Sequence, residues 1–213
     1  MNRKMLVAGL IVLPLALGTV RGFAATTVDG TDKYSYGANI GWVDWQGDVT
    51  NGAVLAYGVA SGYIYSANVG WISLGDGTPA SGLEYSNASA TDFGVNVDAK
   101  TDTNSFLLSG YAYSANAGWI SFNSADPGTR PKIDKTTGVM SGYAYGANIG
   151  WISLDTTVSQ VKSGLFGIEI TELADHILGK VALAAEKLGS ADTNRDGGID
   201  VGDVVRLVLL LTP

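Results

Sequence analysis

The sequence predicts an all-β repeat domain followed by a small α-helical module. A nine-residue pattern, Tyr-x-Tyr-x-Ala-Asn-x-Gly-Trp, occurs four times in the first part of the chain. Near residue 163, Gly and aromatic residues give way to Ala, Leu, Val and charged residues at helical spacing. These two observations divide the chain into an N-terminal segment of residues 1–24, a β-repeat domain of residues 25–160 and a helical module of residues 161–213.

The N-terminal segment has the pattern of a secretory signal peptide. Arg3 and Lys4 precede an apolar run at residues 5–17, and the small residues Gly22 and Ala24 precede the expected cleavage point after Ala24. This run is shorter than the roughly 20 apolar residues that a membrane helix needs. The sequence therefore predicts export to the cell surface or the extracellular medium, with no membrane span in the mature chain.

Composition excludes several classes of function. The 213 residues include no Cys and one His, which excludes a disulfide framework, a thiolate zinc site, a Cys nucleophile and any site with two imidazoles. The chain has 20 acidic and 13 basic residues and a net charge of −7. Because nucleic-acid binding depends on Lys and Arg, we expect no nucleic-acid partner.

Each copy of the repeat predicts a β-hairpin, because Tyr-x-Tyr and Trp-Ile-Ser are strand-forming and Asn-x-Gly favours a turn with a positive φ at Gly. In the second copy, a loop with Gly70 as its bulge residue places Ala67 opposite Trp71 and Tyr65 opposite Ser73. Two faces then separate, one aromatic and one aliphatic. The first contains Tyr63, Tyr65, Ala67, Trp71 and Ser73, and the second contains Ile64, Ile72 and Leu74.

Further strands precede the hairpins. Residues 132–134 and 139–140 lead into the fourth copy, and residues 93–98 and 106–108 lead into the third. Each unit therefore has about three strands, and short strands with frequent turns are typical of sandwiches, barrels and stacked-hairpin arrays. The sequence leaves open whether the β domain is closed.

The aromatic residues of the repeats have two interpretations. Tyr and Trp ladders that pair across strands hold neighbouring hairpins together, and their presence in every copy favours this structural role. Alternatively, aromatic faces stack on sugars. Under that second interpretation the glycan contacts are Tyr65, Trp71, Tyr113, Trp119, Tyr145 and Trp151. The repeats resemble those of uncharacterised bacterial exported proteins.

Near the C-terminus, residues 192–203 have the spacing of a 12-residue calcium loop. Calcium takes roughly six to eight oxygen ligands, and such a loop supplies them from positions 1, 3, 5, 7, 9 and 12, with Gly at position 6. Gly197 occupies position 6. The predicted ligands of one Ca²⁺ ion are Asp192, Asn194, Asp196, Gly198, Asp200 and Asp203.

This segment resembles a type I dockerin module. Asp203 matches the carboxylate that dockerins have at loop position 12, and residues 204–211 predict the helix that follows. Dockerins contain two loop-helix repeats, and a shift of 31 residues aligns residues 198–204 with residues 167–173. In that first repeat the ligand positions are lost, since positions 1, 3 and 5 fall on Val161, Ser163 and Leu165.

The resemblance implies binding to a cohesin-bearing protein. Loop positions 10 and 11, which help dockerins to choose a cohesin, correspond to Val201 and Gly202 in one repeat and to Ile170 and Thr171 in the other. The alternative is a calcium-stabilised helical cap that packs on its own β domain. A calcium ion suits a small module that has no disulfides.

We therefore expect a secreted, non-catalytic surface or assembly protein of a bacterium, displayed through its C-terminal module. The alternative is a carbohydrate-binding protein that contacts extracellular polysaccharide within a degrading assembly. A glycoside hydrolase requires two carboxylates beside one cleft, but most Asp residues of the β domain lie in predicted turns. Asp44 alone departs from the repeat, where other copies have Ser, and His176 lies on an apolar helix as a packed or surface residue.

Overall fold

The computed structural model describes residues 26–48 and 50–212, so the predicted signal peptide lies outside the described residues. The described chain is mostly β, as predicted, with short helices near the C-terminus: α1 Ile170–Ile177, α2 Leu188–Ala191 and α3 Val201–Leu211. Its strands are β1 Val28–Gly37, β2 Gly41–Asp44, β3 Val54–Leu55, β4 Gly58–Ser61, β5 Tyr63–Ser66, β6 Gly70–Ser73, β7 Val95–Asp98, β8 Ser105–Ser114, β9 Gly118–Ser121, β10 Lys132–Asp134, β11 Met140–Ser141, β12 Tyr143–Gly146, β13 Gly150–Ser153 and β14 Val161–Ser163.

Eight of these strands close into an antiparallel barrel. Each repeat contributes one hairpin, and neighbouring hairpins pair in the order β1-β2-β5-β6-β8-β9-β12-β13. The ring closes where Tyr36 and Gly37 of β1 pair with Ser153 and Ile152 of β13. Of the sandwich, barrel and solenoid that the sequence allowed, the chain forms the barrel, which leaves these eight strands without a free edge.

The register within the hairpins differs from the predicted one by two residues. Tyr65 pairs with Trp71, whereas the sequence predicted Tyr65 opposite Ser73 and Ala67 opposite Trp71. The prediction is wrong because the turn uses the three residues before Gly70, including Ala67. Gly70 itself begins β6 and has the expected positive φ, 78°.

The predicted separation of faces is nevertheless confirmed, because a shift of two residues leaves each strand residue on its own face. In the second hairpin, Ile64 and Ile72 are buried inside the barrel, whereas Tyr63, Tyr65 and Trp71 are exposed outside it. The aliphatic face therefore forms the core, and the aromatic face forms the outer surface.

The barrel interior is filled by equivalent side chains from the four hairpins, as expected for an eight-stranded barrel. The residue after each repeat Trp is a buried Val or Ile, and two residues further on is a large side chain with at most 2% exposure. The turns close the other end with buried aliphatic residues. These three sets are Val43, Ile72, Ile120 and Ile152; Trp45, Leu74, Phe122 and Leu154; and Ile40, Val69, Ala117 and Ile149.

Strands outside the barrel complete the predicted three-strand units, with β7 before β8 and with β10 and β11 before β12. In copies two to four, a Ser-Gly pair directly precedes the first Tyr of the motif, and the chain enters the barrel at this Gly, which has a φ of 83–89°. The carbonyl oxygen of this Gly accepts a hydrogen bond from the N–H three residues after the repeat Trp, at 2.9 Å. These pairs are Gly62 with Leu74, Gly110 with Phe122 and Gly142 with Leu154.

The Asn of each repeat joins one hairpin to the next. Its side-chain Nδ2 donates to a carbonyl oxygen of the adjacent turn at 3.0–3.2 Å, and the four bonds form a closed ring around the end of the barrel. The donor and acceptor pairs are Asn39 with Ile149, Asn68 with Ile40, Asn116 with Val69, and Asn148 with Ala117. A residue that signals a local turn therefore also contributes to closure of the barrel.

The C-terminal segment packs on the barrel. β14 pairs with β1, and apolar residues of α1 and α3 belong to the same buried cluster as the barrel interior. The Tyr57 hydroxyl donates to the Phe166 carbonyl at 3.1 Å and accepts the Ile168 N–H at 2.7 Å. Within residues 26–48 and 50–212, no helix is long and apolar enough to cross a membrane.

Candidate functional sites

The C-terminal loop, residues 192–203, turns sharply where the sequence predicts it to turn. The Asp192 carboxylate accepts the backbone N–H groups of Asp196 and Gly197 at 3.1 and 3.0 Å. Gly197 has a φ of 93°, which favours glycine. Asn194 Nδ2 donates to Asp196 Oδ2 at 3.0 Å. These bonds bring three of the predicted calcium ligands, at loop positions 1, 3 and 5, into one turn.

Asp203, the predicted ligand at loop position 12, is fully buried. Its two carboxylate oxygens accept the N–H groups of Asn194 at 3.0 Å and Asp200 at 2.9 Å. Within the described part of the chain, Asp203 forms no ion pair. A buried carboxylate without a counter-ion is unfavourable, so this position suits a nearby cation.

The remaining predicted ligands, Gly198 and Asp200, are exposed, and Asp200 caps α3 by accepting the Gly202 N–H at 2.7 Å. No three His, Cys, Asp or Glu side chains among the described residues form a ready-made metal cluster. The oxygen donors of the loop are nevertheless of the type that Ca²⁺ prefers. On ligand chemistry, the loop fits calcium better than a transition metal.

α1 and α3 begin in the same way, 31 residues apart. Glu169 and Glu172 form a reciprocal capping box at the start of α1, and Asp200 and Asp203 form one at the start of α3. This spacing equals the shift that aligns the two halves of the sequence. The equivalent of the calcium loop before α1 includes β14, whose Val161 is fully buried.

The predicted partner-binding residues differ in accessibility. Val201, Gly202 and Thr171 are exposed, whereas Ile170 is half-buried against the core. Val201 also belongs to an apolar stripe on α3, since every fourth residue of that helix faces solvent. The members of the stripe are 53–65% exposed. They are Val201, Val205 and Leu209.

Twelve Tyr and Trp residues cover the outside of the barrel, and we call them the aromatic set. Every member is 36–57% exposed, and Trp151 is the most exposed. The six predicted glycan contacts all belong to this set. Its members are Tyr34, Tyr36, Trp42, Tyr63, Tyr65, Trp71, Tyr111, Tyr113, Trp119, Tyr143, Tyr145 and Trp151.

Each Trp of the aromatic set contacts the two Tyr residues of its own hairpin. The ring centroids lie 4.8–4.9 Å from the directly opposite Tyr and 6.2–6.4 Å from the diagonal one. Phe93 adds a fourth ring beside Trp119, at 5.0 Å. The rings therefore pair across strands, as the structural interpretation predicts, but they do so within a hairpin and keep exposed surfaces.

The carboxylates of the β domain mostly stabilise turns. Asp29, Asp102 and Asp134 each accept two backbone N–H groups from the residues two and three positions ahead. These hydrogen bonds lower the pKa of each carboxyl group. Asp102 lies between β7 and β8, as the predicted turn position requires, whereas Asp29 lies in β1 and Asp134 is the last residue of β10.

Asp44 and His176 have structural contacts that account for their presence. Asp44 forms an ion pair with Lys33 at 2.9 Å. Lys33 occupies the position directly before the first Tyr of the motif, where the other three copies have Gly. The His176 Nδ1 accepts the Leu183 N–H at 3.1 Å. Asp44 thus departs from the repeat together with its partner on the adjacent strand.

Sequence reasoning missed a pocket of about 360 Å³ between the barrel and the C-terminal segment. Arg195 from the C-terminal loop and Arg206 from α3 line it, opposite Tyr57, Thr78 and Gly82. One signal was present in the sequence, because Arg206 interrupts an otherwise apolar run. Which segment would face it depends on tertiary packing, so the pocket itself was not predictable.

Comparison with known proteins gives no family assignment. No protein-family model, curated protein or solved structure matches the chain.

Proposed function

We propose that this chain is an extracellular, non-catalytic protein whose barrel is displayed or assembled through a calcium-dependent, dockerin-like C-terminal module. The observation that carries this proposal is the C-terminal loop, where Asp192 accepts the N–H groups that form the turn at Gly197. Buried Asp203 has no counter-ion among residues 26–48 and 50–212. Calcium bound by these oxygens would fix the start of α3. We propose that the six predicted ligands coordinate this ion.

The apolar stripe of α3 supports a docking role for this module. Val201, Val205 and Leu209 lie on the side of the helix opposite to its buried residues, and together they form one exposed apolar row. Amphipathic helices commonly bind partners through such spacing. The proposed partner is a cohesin-bearing protein, and the contacts among α1, α3 and the barrel leave this row accessible.

The docking proposal predicts loss of partner binding when the stripe is charged. We expect the full-length protein to bind at least one member of a recombinant cohesin panel in calcium, and to lose that binding in EDTA. Val205→Glu should weaken binding at least about tenfold, because it places a charge in an apolar contact. Surface plasmon resonance measures both effects.

Val158→Glu is the matched control, since Val158 is 80% exposed and lies on a barrel loop. It should leave cohesin affinity unchanged. Docking is refuted if no cohesin binds in calcium, or if Val205→Glu binds as well as the wild type.

The second proposed function is binding of extracellular polysaccharide through the aromatic set. The specific observation is that all twelve rings remain partly exposed while the aliphatic face fills the core. Flat, amphipathic rings with polar edges suit contacts with sugars. The same ring cluster occurs on each of the four hairpins, so the outside of the barrel offers four equivalent contact sites.

This proposal predicts that the protein adsorbs to an insoluble polysaccharide such as cellulose, xylan or chitin. Trp151→Ala should weaken adsorption about tenfold, because a stacked ring contributes about 1.4 kcal/mol. Fold retention is checked by circular dichroism. Val158→Ala, which removes exposed apolar surface without a ring, should leave adsorption unchanged, and equal behaviour of the two variants would exclude aromatic stacking.

A further inference from the structure

The pocket between the barrel and the C-terminal segment contains two arginines with unsatisfied donors. Arg206 Nη1 donates to the Gly82 carbonyl at 2.7 Å. Arg206 Nε and Arg195 Nη2 are buried, and neither has a hydrogen-bond partner among residues 26–48 and 50–212. Buried N–H groups of charged side chains are nearly always paired. The two guanidinium groups are therefore incompletely hydrogen-bonded within the described chain.

The electrostatics of the pocket also favour an anion. Arg195 and Arg206 both line this one pocket, and burial lowers the pKa of Arg206. Neither arginine forms an ion pair within the described chain, so two half-buried positive charges line one pocket without a counter-ion there.

Several features indicate the chemical class of the ligand. Guanidinium groups bind planar or tetrahedral oxyanions through paired N–H donors better than they bind spherical ions. The volume of about 360 Å³ exceeds that of a bare ion and lies within the range of small-molecule sites. Thr78 and Asn194 add polar groups to the lining, which suits a hydroxylated rather than an apolar ligand.

We propose that the Arg195 and Arg206 pocket binds a small oxyanion, the carboxylate or phosphate group of an acidic monosaccharide. The guanidinium groups hold the anionic group, and the polar lining contacts the sugar hydroxyls. This site is distinct from the aromatic set, which lies on the outer face of the barrel. The pocket borders the predicted calcium loop, because Arg195 and the predicted ligand Asn194 both line it.

Calorimetry and thermal unfolding of the full-length protein test this site with glucuronate, glucose 6-phosphate, inorganic phosphate and neutral glucose at constant ionic strength. The acidic ligands should bind and raise Tm, whereas glucose should not. In Arg206→Gln their affinity should fall at least about tenfold, because one of two charge-assisted contacts is lost. Lys100→Gln removes one exposed positive charge elsewhere and should behave as the wild type.

The ligand series separates the two sources of the oxyanion. Tighter binding of the acidic sugars than of inorganic phosphate supports the monosaccharide site, whereas equal binding lost in Arg206→Gln supports a site for the free anion and overturns the sugar contacts. No binding of any anion, or equal binding to Arg206→Gln, overturns the proposal. Should Arg206→Gln not fold, Arg206→Lys keeps the charge but loses the paired N–H donors, and the affinity of the acidic ligands should still fall. Running each titration in calcium and in EDTA keeps failure of this site separate from failure of the calcium loop.

Discussion

Replacing Gly142 with alanine should destabilise the folded protein by about 3 kcal/mol or more. Gly142 lies where the chain leaves β11 and enters the barrel strand β12, with a φ of 89°. A Cβ atom there would lie against the carbonyl oxygens of Arg130 and Thr129, which belong to the backbone of an adjacent segment. Both the backbone conformation and the close approach therefore require glycine.

Two control variants separate these causes. Gly179 has a φ of 69° with open space around its Cβ position, so Gly179→Ala should lose only about 1 kcal/mol for the conformation. Gly189 lies in α2, also with open space, and Gly189→Ala should be neutral or stabilise by up to about 1 kcal/mol. Chemical denaturation measures all three. Similar free energies of unfolding for Gly142→Ala and Gly179→Ala would contradict the prediction. They would show that the backbone of residues 129 and 130 moves to make room for the added Cβ atom.

The hairpins were predictable because their signals are local. Alternation of large residues, the turn at Asn68 and the positive φ of Gly70 all act within a few residues. The strand register within each hairpin also depends on distant residues. Asn68 donates to Ile40 of the preceding hairpin, and Val69 is buried at the end of the barrel. The turn thus adopts a geometry set partly by its neighbour, which no single copy specifies.

Closure of the barrel was not predictable for the same reason. It depends on pairing between the first and last hairpins, where Tyr36 meets Ser153 across more than 100 residues. A solenoid of the same hairpins would leave those edges unpaired. The hydrophobic pattern of each copy is compatible with either arrangement, so only the long-range pairing distinguishes them.

The candidate sites also differ in whether local sequence or tertiary packing determines them. The spacing of Asp192 and Gly197 predicted a loop that turns at the expected residue, because turn geometry is local. The arginine pocket escaped prediction, since Arg195 and Arg206 meet Gly82 only after the C-terminal segment packs on the barrel. The outward direction of the aromatic set was decided by which face of each hairpin the barrel encloses.

The second large effect concerns the C-terminal loop. We expect the wild-type protein to bind one Ca²⁺ ion and to gain about 4 kcal/mol of stability when free calcium is roughly 1,000 times Kd. Asp192→Ala should abolish both the binding heat and the calcium-dependent rise in Tm, because it removes the carboxylate at loop position 1. Calorimetry and thermal unfolding, each with and without calcium, measure these quantities.

The Asp192 carboxylate also accepts the N–H groups of Asp196 and Gly197, so Asp192→Ala lowers stability in EDTA as well. Asp192→Asn keeps an oxygen acceptor while removing the charge, and it should retain more of the stability in EDTA but still lose most calcium affinity. Asp155→Ala, at an exposed carboxylate of the barrel, should keep full calcium binding. The calcium loop is refuted if the wild type shows no calcium-dependent rise in Tm or if Asp192→Ala retains it. Two ions per chain would instead refute the loss of ligands in the first repeat, where buried Val161 occupies the first ligand position.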